Sequence, residues 1–88
     1  MNIPPAELTD VVTRLKRIQG QVGGVIRMIE EGRDCAAVVT QFAAASKALH
    51  RAGFAVVSTG MRHCSTAEDG ENRDVDMREL ERLLLSLA

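Results

Sequence analysis

The chain has 88 residues, including two phenylalanines and no Trp or Tyr. This length allows one domain, 1–88, whose small core would contain few bulky side chains, so we expect oligomerisation to add to its stability. The formal net charge is −1, but the residues up to Cys64 include eight basic and five acidic side chains, and the rest include three basic and seven acidic ones. A mildly basic first part allows a nucleic-acid-binding surface on a slightly acidic protein.

No apolar run reaches the roughly 20 residues needed to span a membrane. The sequence begins without the pattern of a secretory signal and contains two cysteines, Cys35 and Cys64. In a reducing compartment a pair of thiols is more often functional than a structural disulfide. We therefore expect a cytoplasmic protein with no membrane partner.

The first predicted helix runs from about 7 to 31, after a loose arm over 1–6. Gly32 is well placed to end this helix. The prediction depends on apolar residues that recur with a helical period, namely Leu8, Val11, Val12, Leu15, Ile18, Val22, Val25, Ile26 and Ile29.

The second predicted helix runs from about 34 to 64. Asp34 is a good N-cap, and Cys35 then lies in the first turn, where the helix macrodipole favours a thiolate. A polar loop over 65–73 and a short third helix over about 74–87 complete the chain. With no strand pattern present, the sequence predicts an all-α subunit with two long helices and one short C-terminal helix.

The spacing of the two cysteines predicts how subunits assemble. Both lie on one apolar stripe of the second helix, about 20° apart around the axis but roughly 44 Å apart along it. They cannot meet within one straight helix, whereas an antiparallel copy would carry each Cys35 towards the partner's Cys64. The stripe comprises Cys35, Val38, Val39, Phe42, Ala45, Leu49, Val56, Val57 and Cys64.

Two interpretations of the thiols stay open at this point. Cysteine is often a small buried hydrophobe, whereas a shared stripe and a dipole-positive position for Cys35 favour a site for soft metals such as Cu(I) or for sulfur transfer. His63 lies about 100° from Cys64 and is typical of a helix-terminal histidine, and Met61 is typical of a packing methionine, so both are secondary candidates. We find no phosphate loop, CxxC or nucleophile setting, and expect neither an enzyme nor a required cofactor.

Basic side chains form two groups. Arg14 and Arg17, with Lys16 further round, lie on the first helix, and Lys47 and Arg51 lie four residues apart on the outer face of the second. Ordinary solvated charge would explain either group alone. Because both helices are too long for a helix-turn-helix and the third is acidic, any DNA contact would come from a broad basic face built from more than one subunit.

Three segments closely resemble the copper-sensitive operon repressor (CsoR) family, which also includes nickel/cobalt, formaldehyde and persulfide sensors. They are residues 15–22 (LKRIQGQV), 27–35 (RMIEEGRDC) and 62–64 (RHC), and the likeness covers nearly the whole chain. The resemblance implies a three-helix subunit, an antiparallel homodimer and a homotetramer formed from two dimers. It also implies a repressor that leaves its operator DNA when an inducer reacts at an inter-subunit cysteine site. Arg14 and Arg51 match DNA-contacting arginines of the family, and Cys35 and Cys64 match its sensing thiols.

Three departures from the family pattern bear on the inducer. Copper sensors place a histidine four residues before the second cysteine, where this chain has Gly60. They usually have a tyrosine just before the first cysteine, where this chain has Asp34. The family usually has an arginine after GQV, where this chain has Gly23. Gly60 offers no ligand and leaves room for bridging sulfur, and persulfide sensors of the family also lack that histidine. We therefore expect a persulfide-responsive repressor. One alternative is a Cu(I)-sensing repressor that uses the same thiolates, and another is a thiol- or metal-binding protein that does not bind DNA.

Overall fold

The computed structural model describes residues 2–66 and 70–87, and in that part the chain forms a 3-10 turn followed by three helices and no strand. The turn is Pro5–Leu8, and the helices are α1 (Thr9–Glu30), α2 (Cys35–Ser65) and α3 (Gly70–Leu87). The predicted all-α architecture is confirmed. None of the helices in the described ranges combines the length and the apolar character that crossing a bilayer requires. The assembly and the single domain over 1–88 stay predictions.

A short connection reverses the chain between α1 and α2. Gly32 adopts φ 70°, and the amide of Arg33 donates to the carbonyl of Met28 while that of Gly32 donates to Ile29. This pair of bonds satisfies the last carbonyls of α1 and requires a left-handed residue, which glycine adopts without steric cost. Asp34 then begins α2 as its N-cap, as the sequence predicts.

The structure differs from the predicted bounds mainly at the two ends of the chain. α3 begins at Gly70 instead of about 74, and the central part of the predicted loop over 65–73, residues 67–69, lies outside the described residues. The predicted loose arm is also wrong in part, because Ile3 is half-buried and Pro5 opens the 3-10 turn.

The helix α2 lies at the centre of the subunit. Its middle packs against α1 through a cluster of Val11, Ile18 and Ala52, and its C-terminal half packs against α3 through Val57, Cys64 and Leu80. The two halves of the predicted apolar stripe therefore differ in burial. The C-terminal half is covered by α3, whereas most of the N-terminal half is exposed; the exposed members are Cys35, Val39, Phe42 and Leu49.

The subunit is a flat layer rather than a sphere. Its Cα radius of gyration is 16.9 Å and its extents are 55 × 25 × 13 Å, whereas a compact chain of this length would have a radius of about 12 Å. Large apolar side chains remain exposed on α1 and α2, which include Val12, Leu15, Val22, Ile26, Ile29, Val39, Phe42 and Leu49. An apolar surface this extensive is typical of a subunit that buries it against another chain.

Candidate functional site

The first cysteine occupies the N-terminal turn of α2 and faces solvent. Asp34 caps this helix by accepting a hydrogen bond from the amide of Ala37 at 3.3 Å, which fixes Cys35 as the first helical residue. Cys35 is exposed in the subunit. A thiol in this place is accessible to reagents from solution and lies near the unsatisfied amides of the helix start.

The second cysteine lies in the last turn of α2 and is only 3% exposed. It belongs to the apolar cluster with Val57 and Leu80, with Met61 and Met77 packed against that cluster. Because α2 is one uninterrupted helix of 31 residues, about 46 Å long, Cys35 and Cys64 are held at opposite ends of the subunit. The two thiols cannot react with each other inside one chain.

The space beside Gly60 is filled, contrary to the expectation that this residue leaves room for bridging sulfur. A Cβ placed on Gly60 would lie 3.2 Å from Cδ1 of Leu80 and 3.4 Å from Cδ1 of Ile3. Gly60 itself is buried. The resemblance places the histidine of copper sensors at position 60. At that position this subunit has an apolar contact between α2, α3 and the N-terminal arm.

His63 contacts the 3-10 turn that precedes α1. Its Nδ1 lies 3.4 Å from Oε2 of Glu7, and these two residues line a shallow cavity with Thr59, Arg62 and Thr66. Met61, by contrast, packs into the apolar cluster around Cys64. Within the described residues of this one chain, no three His, Cys, Asp or Glu side chains are close enough to hold a metal ion together. A metal site that uses both thiols would need donors from two subunits, because Cys35 and Cys64 lie at opposite ends of α2.

Arginines from α1 and α2 meet in one groove. Arg14, Arg17 and Arg51 line it together with Gln21, over a floor that includes Ile18. The cavity measures about 390 Å³ and is open to solvent. The sequence predicted candidate DNA contacts on both helices, and the fold brings these three guanidinium groups to the same side of the layer.

The basic groove continues in both directions along α2. Lys47 lines the adjoining surface with Arg51, and at the other end Arg62 lines a cavity with Arg14. The sequence analysis missed Arg62, although it lies eleven residues after Arg51 and therefore only about 20° from it around the helix. We call these five residues, Lys47, Arg17, Arg51, Arg14 and Arg62, the basic face.

Lys16 does not belong to the basic face. It lines an apolar groove with Val12, Leu15 and Leu49, on the other side of α1. The step of two positions from Arg14 to Lys16 corresponds to about 200° of rotation around a helix, which explains why the two side chains lie on opposite sides of α1. The structure therefore does not bring Lys16 together with the other DNA-contacting candidates, and a role for it in DNA binding stays a prediction.

The cations of the basic face have no carboxylate partners among the described residues. The ion pairs there join Arg33 to Glu31 and Arg82 to Glu79, His63 lies 3.4 Å from Glu7, and none of these contacts involves the five members of the face. Arg62 donates instead to the hydroxyl of Thr59 at 3.2 Å. Glu7 and Asp10 lie beside Arg14 and Arg62, so the positive potential is weakened at that end of the face.

Comparison with known proteins assigns the family. The model of a family described as metal-sensitive transcriptional repressors matches residues 7–86. The chain belongs to this family. Members of the family regulate transcription, which confirms the expectation that the chain is not an enzyme. The resemblance to the copper-sensitive operon repressors is confirmed as well.

Individual members of the metal-sensitive repressor family are similar over most of the chain. The copper-sensing transcriptional repressor RicR of Mycobacterium tuberculosis is 39% identical over 69 residues, which are 75% of this chain and 72% of RicR. The copper-sensing repressor CsoR of Bacillus subtilis is 33% identical over 58 residues, covering 66% of this chain and 57% of CsoR. A solved structure of a variant of the formaldehyde-responsive regulator FrmR from Salmonella enterica superposes with TM-score 0.83 and 27% identity, covering 99% of this chain and 100% of that one.

Proposed function

We propose that the protein is an operator-binding repressor, and that it releases DNA when an inducer reacts at a site formed by Cys35 of one subunit and Cys64 of another. We further propose that the inducer is a reactive sulfur species such as a persulfide. The observation that supports operator binding is the convergence of Arg14, Arg17 and Arg51 in one groove, where they have no carboxylate partner among the residues that the structure describes. The separation of the two thiols along α2 supports a sensor site that is shared between two subunits.

The basic face has the dimensions of a contact with a DNA backbone. From Lys47 to Arg62 it follows α2 for about 22 Å, and Arg14 and Arg17 widen it onto α1. Arginine binds phosphate oxygens in a bidentate manner, and each phosphate neutralised releases counterions from the duplex. An assembly of two or four subunits would repeat this face along one operator.

The DNA proposal is tested with three variants. Arg14→Ala and Arg51→Ala should each weaken binding to the DNA upstream of the protein's own coding sequence, and each should reduce the salt dependence of the affinity by about one unit for each phosphate that is no longer neutralised. Lys16→Ala removes one charge from the opposite side of α1, so it should change both quantities much less. The measurement is fluorescence anisotropy over a series of salt concentrations. Equal effects of all three variants, or unchanged binding in the two arginine variants, would remove the basic face from the interface.

The sensor proposal depends on the antiparallel arrangement of two α2 helices. Such a pair places the first turn of one helix beside the last turn of the other, which brings Cys35 towards the partner subunit's Cys64. The exposed N-terminal half of the apolar stripe, with Val39 and Phe42, supplies a surface for this pairing. Each dimer would then contain two equivalent sites.

Persulfide chemistry fits a site with two thiols and no third donor. The thiolate of Cys35 attacks the outer sulfur of a donor RSSH, the donor's S–S bond breaks and RS⁻ leaves, so that Cys35 becomes a persulfide. The thiolate of the partner subunit's Cys64 then attacks Sγ of the Cys35 persulfide, the bond between Sγ and the outer sulfur breaks, and hydrosulfide leaves with the electron pair, so that an inter-subunit disulfide forms. A longer sulfur chain on Cys35 would give a polysulfide bridge if the attack falls on a sulfur beyond Sγ. Either link would bias the dimer towards a geometry that releases DNA.

The sensor test combines covalent and DNA readouts. After treatment with glutathione persulfide, the wild type should run as a cross-linked dimer on a non-reducing gel and lose its DNA, whereas Cys35→Ala and Cys64→Ala should do neither. Reduction with dithiothreitol should restore both the monomer band and the DNA affinity. A wild-type protein that stays uncross-linked and bound to DNA contradicts the sulfur proposal.

A Cu(I)-sensing repressor is the second candidate, and the identities of 39% and 33% to copper-sensing repressors favour it. Two thiolates from neighbouring subunits suit soft Cu(I), although His63 is engaged with Glu7 and Gly60 offers no donor. Titration of the reduced protein with Cu(I), followed by DNA affinity, separates the candidates. Stoichiometric release by Cu(I), without any response to persulfide, would establish copper as the inducer.

A further inference from the structure

We propose that Leu80 is a gate over Cys64, so that the second thiol reacts only after α3 has moved away from Gly60. This inference adds to the proposed sensor the order in which its two thiols react. It rests on the proposed function only in that Cys64 is taken as the second thiol of the sensor. The gate itself is a property of the subunit, and it can be tested in the absence of DNA and of any inducer.

The side chain of Leu80 sits directly on the bare backbone of Gly60, one turn before Cys64. Its Cδ1 and Cδ2 would lie 3.2 and 3.4 Å from a Cβ on that glycine. Leu80 is 7% exposed and Cys64 is 3% exposed, and both belong to one apolar cluster. Because these values hold for a single chain, the cover over Cys64 comes from the subunit's own α2 and α3, before any partner subunit adds to it.

A second contact of the same kind lies two turns away and provides an internal control. A Cβ on Gly53 would lie 3.3 Å from both Cδ1 and Cδ2 of Leu87. Gly53 and Gly60 are seven residues apart, and so are Leu80 and Leu87, as expected for two antiparallel helices in regular register. Each leucine therefore holds α3 on α2 by packing on a glycine, but the glycine under Leu80 is one turn from Cys64, whereas the glycine under Leu87 is about three turns from it.

The gate makes the two thiols of the sensor unequal. Cys35 meets any reagent in solution, whereas Cys64 stays behind an apolar side chain that a hydrated or charged reagent does not displace. Cys64 therefore reacts second, by attacking Sγ of the persulfide that has formed on the partner subunit's Cys35. That step requires Leu80 to leave Gly60, so formation of the inter-subunit bond displaces α3 and provides a structural change that can be transmitted to the rest of the subunit.

The test follows alkylation of Cys64 by iodoacetamide in a Cys35→Ala background, where Cys64 is the only thiol. Leu80→Ala should accelerate alkylation by about tenfold or more, because the truncation removes the covering atoms as well as part of the packing that keeps α3 closed. Leu87→Ala makes the same truncation at the other glycine and should leave the rate within about twofold. Mass spectrometry of quenched samples gives the rates, and thermal melts compare the stability of the two variants.

Equal acceleration in both leucine variants would mean that α3 opens as a unit, and it would overturn the assignment of the gate to Leu80. Unchanged alkylation in Leu80→Ala would overturn it as well. If Leu80→Ala does not fold, the pair Gly60→Ala and Gly53→Ala decides: the new Cβ at 60 pushes Leu80 outwards and should speed alkylation severalfold, whereas that at 53 should not. A protein that fails to bind DNA or to respond to persulfide would contradict the proposed function and leave these rates interpretable.

Discussion

Replacing Leu49 with alanine should weaken the association of subunits while leaving each subunit folded. Leu49 lies on the exposed part of the apolar stripe of α2 and is 53% exposed in the single chain. It lines an apolar groove with residues of α1 that include Val22 and Ile26. If this groove is the surface that a second copy covers, about half of the leucine side chain passes from water into the interface.

The size of the effect follows from that exposed fraction. Leu→Ala removes three carbon atoms, and each is worth about 0.8 kcal/mol when fully buried. With about half of the side chain newly covered, the loss is about 1.3 kcal/mol for each subunit. A two-fold interface contains the residue twice, so the total of about 2.5 kcal/mol raises the dimer Kd about 60-fold.

Sedimentation velocity with a fluorescently labelled protein over a nanomolar-to-micromolar series measures this constant. Leu85→Ala is the matched control, because Leu85 is 77% exposed on α3 and lies away from the groove. Its Kd should stay within about twofold of wild type. The reasoning fails if the two variants weaken association equally, or if the wild type is already a monomer at micromolar concentration.

Three further predictions concern the turn into α2 and the thiols. Asp34→Ala should lower the free energy of unfolding by about 1 kcal/mol because the amide of Ala37 loses its acceptor, and a urea titration showing no loss would exclude a capping role. Gly32→Ala should cost about 1 kcal/mol or more because its φ of 70° is strained for alanine, and a stabilised variant in the same titration would contradict this conformation. In the reduced wild type, iodoacetamide should label Cys35 well before Cys64, and peptide mapping that finds the reverse order would contradict the burial described above.

The helical framework could be predicted because its signals are local. The apolar period of α1, Gly32 as its stop and Asp34 as the next cap each act within a turn or two of sequence, and the structure has them where the pattern predicted. Positions on one helix follow from the same arithmetic. The helical rotation of about 200° between Arg14 and Lys16 separates these two side chains, and the rotation of about 20° between Arg51 and Arg62 places those two on one side, so the positions of Lys16 and Arg62 relative to the basic face could be predicted from the sequence.

Contacts between distant segments could not be predicted in this way. The contact of His63 with Glu7 joins residues 56 positions apart in the sequence, and nothing in either local sequence indicates the other. The filling of Gly60 by Leu80 depends on the register of α3 against α2. The seven-residue spacings of Gly53 with Gly60 and of Leu80 with Leu87 hint at that register, but the same spacings would also fit a different helix partner.

The placement of the two thiols at opposite ends of one helix has a genetic consequence. If each sensor site takes one cysteine from each chain, homodimers of Cys35→Ala and of Cys64→Ala do not respond to the inducer, because neither contains a site with both cysteines. A mixed dimer of the two variants contains one pair with both cysteines and one pair with none. Cells that express both alleles should therefore regain an inducible response that neither allele supports alone, and the double variant should fail to complement either.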